Sequence, residues 1–360
     1  MFWLSILVPN AYIPSVTGYA LATGWAAMAI GLPIVTWKGV ATIASPFFPL
    51  TAIAFGTYAC TSLTWVDNPD TALSTLWQYT LLAGAFYAGT QLSSLRVVAI
   101  GLAIGFGVSS LLSTLQALGL DAITEYIPCR PSGLMYNPVI LGEGCALVIL
   151  LLLPYRLWLL IGLLIPGLIL SQSRAALLAL AVGLVLTYCR PQRGTLWAAA
   201  CPFTWAALVA HDTSDDFRLL VWRVLWHFLD FWGYGMGSLD AVLIRFQGHF
   251  YAPGYAHNEF LDLAFQYGIG AAPAIALLLT PGLNATRREW PAYIGFLICC
   301  FFSFPLHVPP LAFLGMAIAG CLARDWSFAR LRIDLRGPWA LLRLPHPRAS
   351  PRALANQLAD

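Results

Sequence analysis

Arg130, Arg174, Arg218 and His257 are the side chains of this 360-residue chain best suited to chemistry. Arginine offers a planar fork of donors to phosphate oxygens and keeps its charge at any working pH. Histidine exchanges a proton near neutrality and serves a hydroxyl nucleophile as a base. Several cations and one base suit a phosphate or diphosphate ester.

Each of these residues also has a plainer reading. TSDDFRLLVWRVLWHFLD (213–230) reads as one helix, capped by Thr213 or Ser214, with Asp215 and Asp216 at its positive end. At 100° per residue Arg223, His227 and Asp230 form a solvated stripe, whereas Arg218 falls on the side of Trp222, Leu225, Trp226 and Leu229. A guanidinium on that aromatic side either stacks on Trp222 or binds an anion. GYGMG (233–237) follows, a turn in which the backbone approaches something closely. In AHNEFLDLAFQYGIG (256–270), Asn258 caps a helix whose dipole accounts for Glu259 and Asp262, and His257 stands just outside the cap. The other histidines, His211, His227, His249, His307 and His346, receive no role. One His with two cap acids makes a poor metal site, so no metal is expected. SQSRA (171–175) places Arg174 at a helix start, where the dipole disfavours a cation unless an anion is shared. Near helix ends the plain reading of any arginine is snorkelling to headgroups.

The elements that position these groups follow from composition. Only 10% of residues are charged and 59% are hydrophobic, with mean hydropathy +0.74. That is too little charge for a water-facing surface and excludes a soluble enzyme or a disordered chain. Fourteen Trp and fourteen Tyr suit two membrane–water interfaces. The expected fold is all-α, a polytopic transmembrane bundle. Apolar runs near 15–35, 47–66, 72–91, 97–118, 134–153, 157–170, 175–189, 195–210, 259–280, 290–305 and 308–323 predict eleven spans. Residues 1–13 add a short twelfth helix or an interfacial one, and they lack the basic flank of a cleavable signal. The larger loop is 211–257; residues 1–323 form one transmembrane domain and 324–360 a basic tail. The eight cysteines show neither CxxC nor His/Cys metal spacing and read as packing residues.

Strict alternation of the eleven runs puts Lys38, Arg96, Arg156, Arg190, Arg193, Arg287, Arg288 and the seven arginines after residue 323 on one face, together with only Glu289, Asp325, Asp334 and Asp360. By the positive-inside rule that face, with the C-terminus, is cytoplasmic. Arg130, Arg174, Arg218, Arg223 and Arg245 are the exceptions on the outer face. Four separate segments thus bring Arg130, Arg174, Arg218 and His257 to one water–lipid boundary, where a lipid diphosphate would present its headgroup. Glu143 is the main charge inside a span, and either pairs with an arginine or marks a lipid path.

RPSGLMYNP (130–138), SQSRAALLALAVG (171–183), RLLVW (218–222) with GYGMG after it, and HNEFLDLAFQYGIG (257–270) together resemble the O-antigen ligase and polymerase family of bacterial envelope glycosyltransferases. The likeness covers about residues 130–275. It implies a multi-pass protein of the bacterial inner membrane whose site faces the periplasm. The implied donor is an undecaprenyl-diphosphate glycan, with no other cofactor and no nucleic acid. The acceptor is lipid A–core in ligases, another lipid-linked repeat in polymerases, and a protein Ser in pilin glycosylases; lipid A–core is the first expectation here. The implied reaction is inverting and metal-independent. Arg218 and His257 match the loop arginine and loop-end histidine of such enzymes, and Arg174 the arginine of their SR motif. On that match Arg174 and Arg218 hold the diphosphate, His257 takes the proton and Arg130 is a third cation. Glu259, Asn258 and Trp222 are support; Glu259 either orients His257 or only caps. Phe231–Trp232 stands where relatives carry Pro and an aliphatic residue, and the loop is compact, features that bear on the acceptor. The reading of another class is a transporter or flippase for an anionic envelope lipid, which would place its ionisable groups near the bilayer midplane.

Overall fold

The computed structural model describes residues 47–120, 130–188 and 213–324, apart from positions 67, 136, 248, 252 and 286. The expected spans 15–35 and 195–210, the stretch 1–13 and the tail beyond Arg324 lie outside the described residues, as do the side chains of Thr213, Ser214 and Asp215.

The described chain is mainly helical: α1 (Phe47–Ser62), α2 (Pro69–Gln91), α3 (Arg96–Ala117), α4 (Pro138–Leu152), α5 (Trp158–Ser171), α6 (Arg174–Tyr188), α7 (Thr213–His227), α8 (Glu259–Tyr267), α9 (Ala271–Leu279), α10 (Trp290–Phe302) and α11 (Pro309–Ala323). Their bounds follow local chemistry. Asn68–Pro69 and Asn137–Pro138 open α2 and α4, each Asn side chain accepting from a first-turn N–H (Thr71 at 3.3 Å, Val139 at 2.9 Å) while proline takes the position that needs no donor. Asn258 caps α8 as expected, accepting from Phe260 and Leu261 N–H at 3.0 Å. Pro166 lies inside α5, and the Gly167 N–H there donates to Ser110 Oγ at 2.8 Å.

Among the described residues three helical stretches are long and apolar enough to cross a membrane, Arg96–Ala117, Pro138–Tyr155 and Glu259–Leu283. Trp158–Ser171, Arg174–Tyr188, Trp290–Phe302 and Pro309–Ala323 are apolar but shorter. Large apolar side chains stand on the outside, Leu159 at 89% exposure, as lipid contact requires. The third long stretch is interrupted: Gly268–Gly270 forms a 3₁₀ turn between α8 and α9.

Two expectations are corrected inside the larger loop. The helix stops at His227 rather than Asp230, because the Asp230 carboxylate turns back to accept the Trp232 N–H at 2.8 Å. The fold is also not wholly helical, since β1 (Ile244–Phe246) pairs antiparallel with β2 (His249–Tyr251). Phe217 of α7 holds that hairpin edge-on, 5.4 Å from Phe246 and 5.7 Å from Tyr251.

The bundle has two chemically distinct ends. At one, Tyr155 Oη meets Ser94 Oγ at 2.9 Å, the Arg288 guanidinium lies 5.1 Å from the Tyr155 ring, and Asn284 Nδ2 donates to the Leu322 carbonyl at 2.7 Å. Arg96, Arg156, Arg287, Arg288 and Arg324 belong to the loops and helix ends gathered here. Arg130, Arg174 and Arg218 belong to the opposite end, with the starts of α4, α6, α8 and α11.

Between lipid-facing helices the gain comes from close packing rather than water release. α2 and α11 approach so closely that a Cβ at Gly320 would overlap the Phe86 carbonyl and one at Gly89 the Ala317 carbonyl. Gly320→Val is therefore expected to lower the thermal midpoint of the detergent-purified chain markedly, by overpacking worth about 1–3 kcal/mol or more. Gly162→Val, at an exposed glycine whose Cβ would meet nothing within 4 Å among the described residues, leaves it unchanged.

Candidate functional site

The larger loop folds back onto the bundle through α7. Its Val221 and Leu225 are buried with Leu239, Ile244, Ala256 and Phe265. Trp222 pins the loop end: its Nε1–H donates to the Ala256 carbonyl at 2.8 Å, and its ring packs edge-on against Phe301 of α10 at 6.0 Å. Arg223, His227 and Asp230 form an exposed stripe, while Arg218 is only partly exposed.

The charge of Arg218 reaches two other elements: it bears on Glu143 of α4 and on His257 at the loop end. Glu143 is fully buried beside Ser303, and neither carboxylate oxygen makes a hydrogen bond of good geometry. On its two sequence readings, the structure brings an arginine's charge to bear on Glu143 without an ion pair between them among the described residues, and does not bear on the lipid path. His257 packs edge-on against Phe304 at 5.1 Å, with Nδ1 buried and without a hydrogen-bond partner. Its backbone is left-handed, φ 52°, a conformation uncommon outside glycine. Burial first, and the Arg218 charge second, push its pKa down to about 4.

That shift has a sign. Unfolded His257 binds a proton near pH 6.5, whereas the folded side chain resists it until about pH 4, so stability falls as pH drops through that window. Wild type is expected to lose more thermal stability between pH 7 and pH 4.5 than His257→Gln, which has nothing to protonate there; differential scanning fluorimetry at the two pH values checks it.

Arg130 and Arg174 meet at the α5–α6 connection. Arg130 donates from Nε and Nη2 to the Ser171 carbonyl, the Nε bond at 3.1 Å. Gln172 turns left-handed at φ 50°, and Ser173 Oγ accepts the Ala176 N–H at 3.3 Å as cap of α6, so Arg174 is the first helical residue. This connection lies against α4 next to Glu143: a Cβ at Gly142 would overlap Ser171 Oγ and lie 2.9 Å from Ser173 Cβ. Close approach at Gly142 thus joins the Arg130–Arg174 corner to the Glu143–Arg218–His257 corner.

Glu259 does more than complement a dipole, and its contacts run away from His257. Its Oε1 accepts the Leu306 N–H at 2.6 Å and its Oε2 lies 3.2 Å from His307 Nδ1. Asp262 accepts from Gln266 Nε2 and, at 3.5 Å, from the Ala256 N–H. Ligand-type atoms of Glu259, Asp262 and His307 lie within 4.8 Å of one another. The two carboxylates accept from the protein's own donors, whereas His307 Nδ1 is buried without a hydrogen bond of good geometry. His307, given no role from sequence, is the side chain that reasoning missed. It lies in the Pro-rich turn between α10 and α11, distant in sequence from its carboxylate, and only the fold joins them.

GYGMG is explained by packing. Gly233 and Gly268 abut, with the Ile269 N–H donating to the Phe231 carbonyl, Gly235 N–H to the Gln266 carbonyl and Gly237 N–H to Gln266 Oε1, all at 2.7–2.8 Å. A Cβ at Gly233, φ 74°, would overlap the Gln266 carbonyl. The close approach expected of this turn is to the break between α8 and α9.

No family model and no curated protein matches the chain.

Proposed function

We propose that the chain is a membrane glycosyltransferase that moves a glycan from undecaprenyl diphosphate to an acceptor hydroxyl on the outer face of the bacterial inner membrane. Transfer to lipid A–core is the first form of this reading; glycan polymerisation and protein O-glycosylation are its variants. The observation that supports it is that the α5–α6 connection, which Arg130 holds and where Arg174 begins α6, packs on Gly142 next to Glu143, while the Arg218 charge acts on both Glu143 and His257.

The chemistry follows from the groups. The acceptor oxygen forms a bond to the anomeric carbon as the bond from that carbon to the diphosphate breaks. The electron pair leaves on the diphosphate, whose growing charge the arginines offset. The hydroxyl proton passes to a histidine at the loop end, His257 in the assignment that the resemblance implies. An apolar cavity of about 410 Å³, lined by Phe48, Phe55, Leu82, Leu278, Met316 and the Leu306 whose N–H Glu259 accepts, offers room for part of an isoprenoid chain.

The transporter reading has Glu143 in its favour, as a buried charge within a long apolar helix. Glu143 lies less than two turns from the start of α4, however, and keeps company with Arg218 near the bundle end rather than at mid-span. The reconstituted chain, given undecaprenyl-diphosphate glycan with lipid A–core, a second lipid-linked repeat or a Ser peptide, is expected to yield glycan–acceptor product with or without EDTA. Product length separates polymerase from ligase, and lipid movement without product would overturn the enzyme.

A further inference from the structure

We propose that His307, oriented by the Glu259 carboxylate, is the side chain that takes the acceptor's proton. This rests on the glycosyl-transfer reading and moves one role within it.

The geometry is that of a carboxylate–imidazole pair. Glu259, its side chain only 2% exposed, accepts the Leu306 N–H at 2.6 Å on Oε1, and its Oε2 lies 3.2 Å from the buried His307 Nδ1, an ion-pair distance without hydrogen-bond alignment. A carboxylate this close to Nδ1 favours a proton on that nitrogen by charge, and a small rotation of the ring would align the bond and leave Nε2 as the acceptor. While the carboxylate beside it keeps 2% exposure, the His307 side chain keeps 14%, although its Nδ1 is buried. Its place is fixed by Tyr255, whose ring lies 4.6 Å from His307 and stacks at 4.8 Å on Phe304, the ring that also carries His257. The two histidines therefore share one aromatic wall, built from the loop end and the α10–α11 turn.

They differ in what they can do. His257 is held neutral by burial and by Arg218, which makes it a poor proton acceptor and a good neutral hydrogen-bonding group. His307 has a carboxylate partner that stabilises the imidazolium formed on proton transfer. In the step, the acceptor O–H proton passes to Nε2 as oxygen bonds the anomeric carbon and diphosphate departs. The proton is then released to water. The titratable groups against His307 are Glu259 and Asp262 of α8 and Tyr255 of the loop; Glu143 and Arg218 act on Glu259 and His257 one step away.

The test uses the full chain in nanodiscs with undecaprenyl-diphosphate glycan and acceptor. His307→Gln is expected to lower kcat by about 10²–10⁴-fold. Glu259→Gln, which still accepts the Leu306 N–H, lowers kcat less and moves the acid limb of kcat/KM to lower pH, whereas His257→Gln leaves that limb in place. ¹⁵N spectra of histidine-labelled protein supply a readout free of turnover: His307 carries its proton on Nδ1, and Glu259→Gln lowers its titration midpoint. An active chain whose acid limb ignores His307→Gln and Glu259→Gln, or follows His257, overturns the dyad and leaves the glycosyl-transfer reading standing. A chain that transfers no glycan overturns that reading and this role with it.

Discussion

Arg218→Ala is expected to lower kcat of glycan transfer by about 10²–10³-fold, the usual loss when one donor to developing charge is removed. The argument starts from charge. A departing diphosphate gains negative charge at the anomeric bond, and a fixed guanidinium near it is worth most where water is excluded. Arg218 is fixed by the helix that Val221, Leu225 and Trp222 lock onto the bundle, and its charge already acts on Glu143 and His257. Arg218→Lys keeps charge but loses the fork, so it should recover folding and only part of the rate. Arg218→Ala also strips Glu143 of its neighbouring cation, and the added change Glu143→Gln should restore thermal stability without restoring turnover. Single-turnover rates and melting curves on the four proteins check this; recovery of turnover by the double variant would mean that Arg218 serves stability alone.

Gly142→Leu is expected to remove activity without touching a charged residue. A Cβ there would overlap Ser171 Oγ, so the side chain must drive the α5–α6 connection away from α4. That connection carries the Ser171 carbonyl that Arg130 holds and the start of α6 from which Arg174 projects. A displacement of about 1 Å at such groups costs on the order of 10²-fold in rate. Gly162→Leu is the control, because open space surrounds that glycine of α5 among the described residues. Gly142→Ala should fall between the two, and Ser171→Gly added to it should recover rate by relieving the overlap. The readout is kcat at matched protein folding, judged by size-exclusion profile.

Much of the framework was legible in the sequence because lipid imposes long apolar runs and short polar turns. The runs 97–118, 157–170 and 308–323 became α3, α5 and α11 to within a few residues, and Asn258 capped α8 through an oxygen that only a cap position uses. Glu143 was conspicuous as a lone acid in an apolar run, but sequence spacing carries no sign of Arg218 beside it. Glu259 misled for a physical reason: a helix dipole accounts for an acid in the first turn, so nothing called for His307. The hairpin left only a faint trace, a three-residue strand on each side of the turn at Gln247, with the second exposed throughout, which is too short to override the helical setting. The glycine turn signalled a close approach, yet the approaching partner, Gln266 and Gly268, could be named only from the fold.

The central claim is a coupled bond exchange, one glycan joined to an acceptor for each diphosphate lipid released. The direct measurement is the stoichiometry of glycan–acceptor product and free undecaprenyl diphosphate in proteoliposomes of the purified chain, with doubly labelled donor. A ratio of one to one, unchanged by EDTA and lost in Arg218→Ala, is the predicted result. Donor lipid that crosses the bilayer with its glycan still attached and no product formed would contradict it.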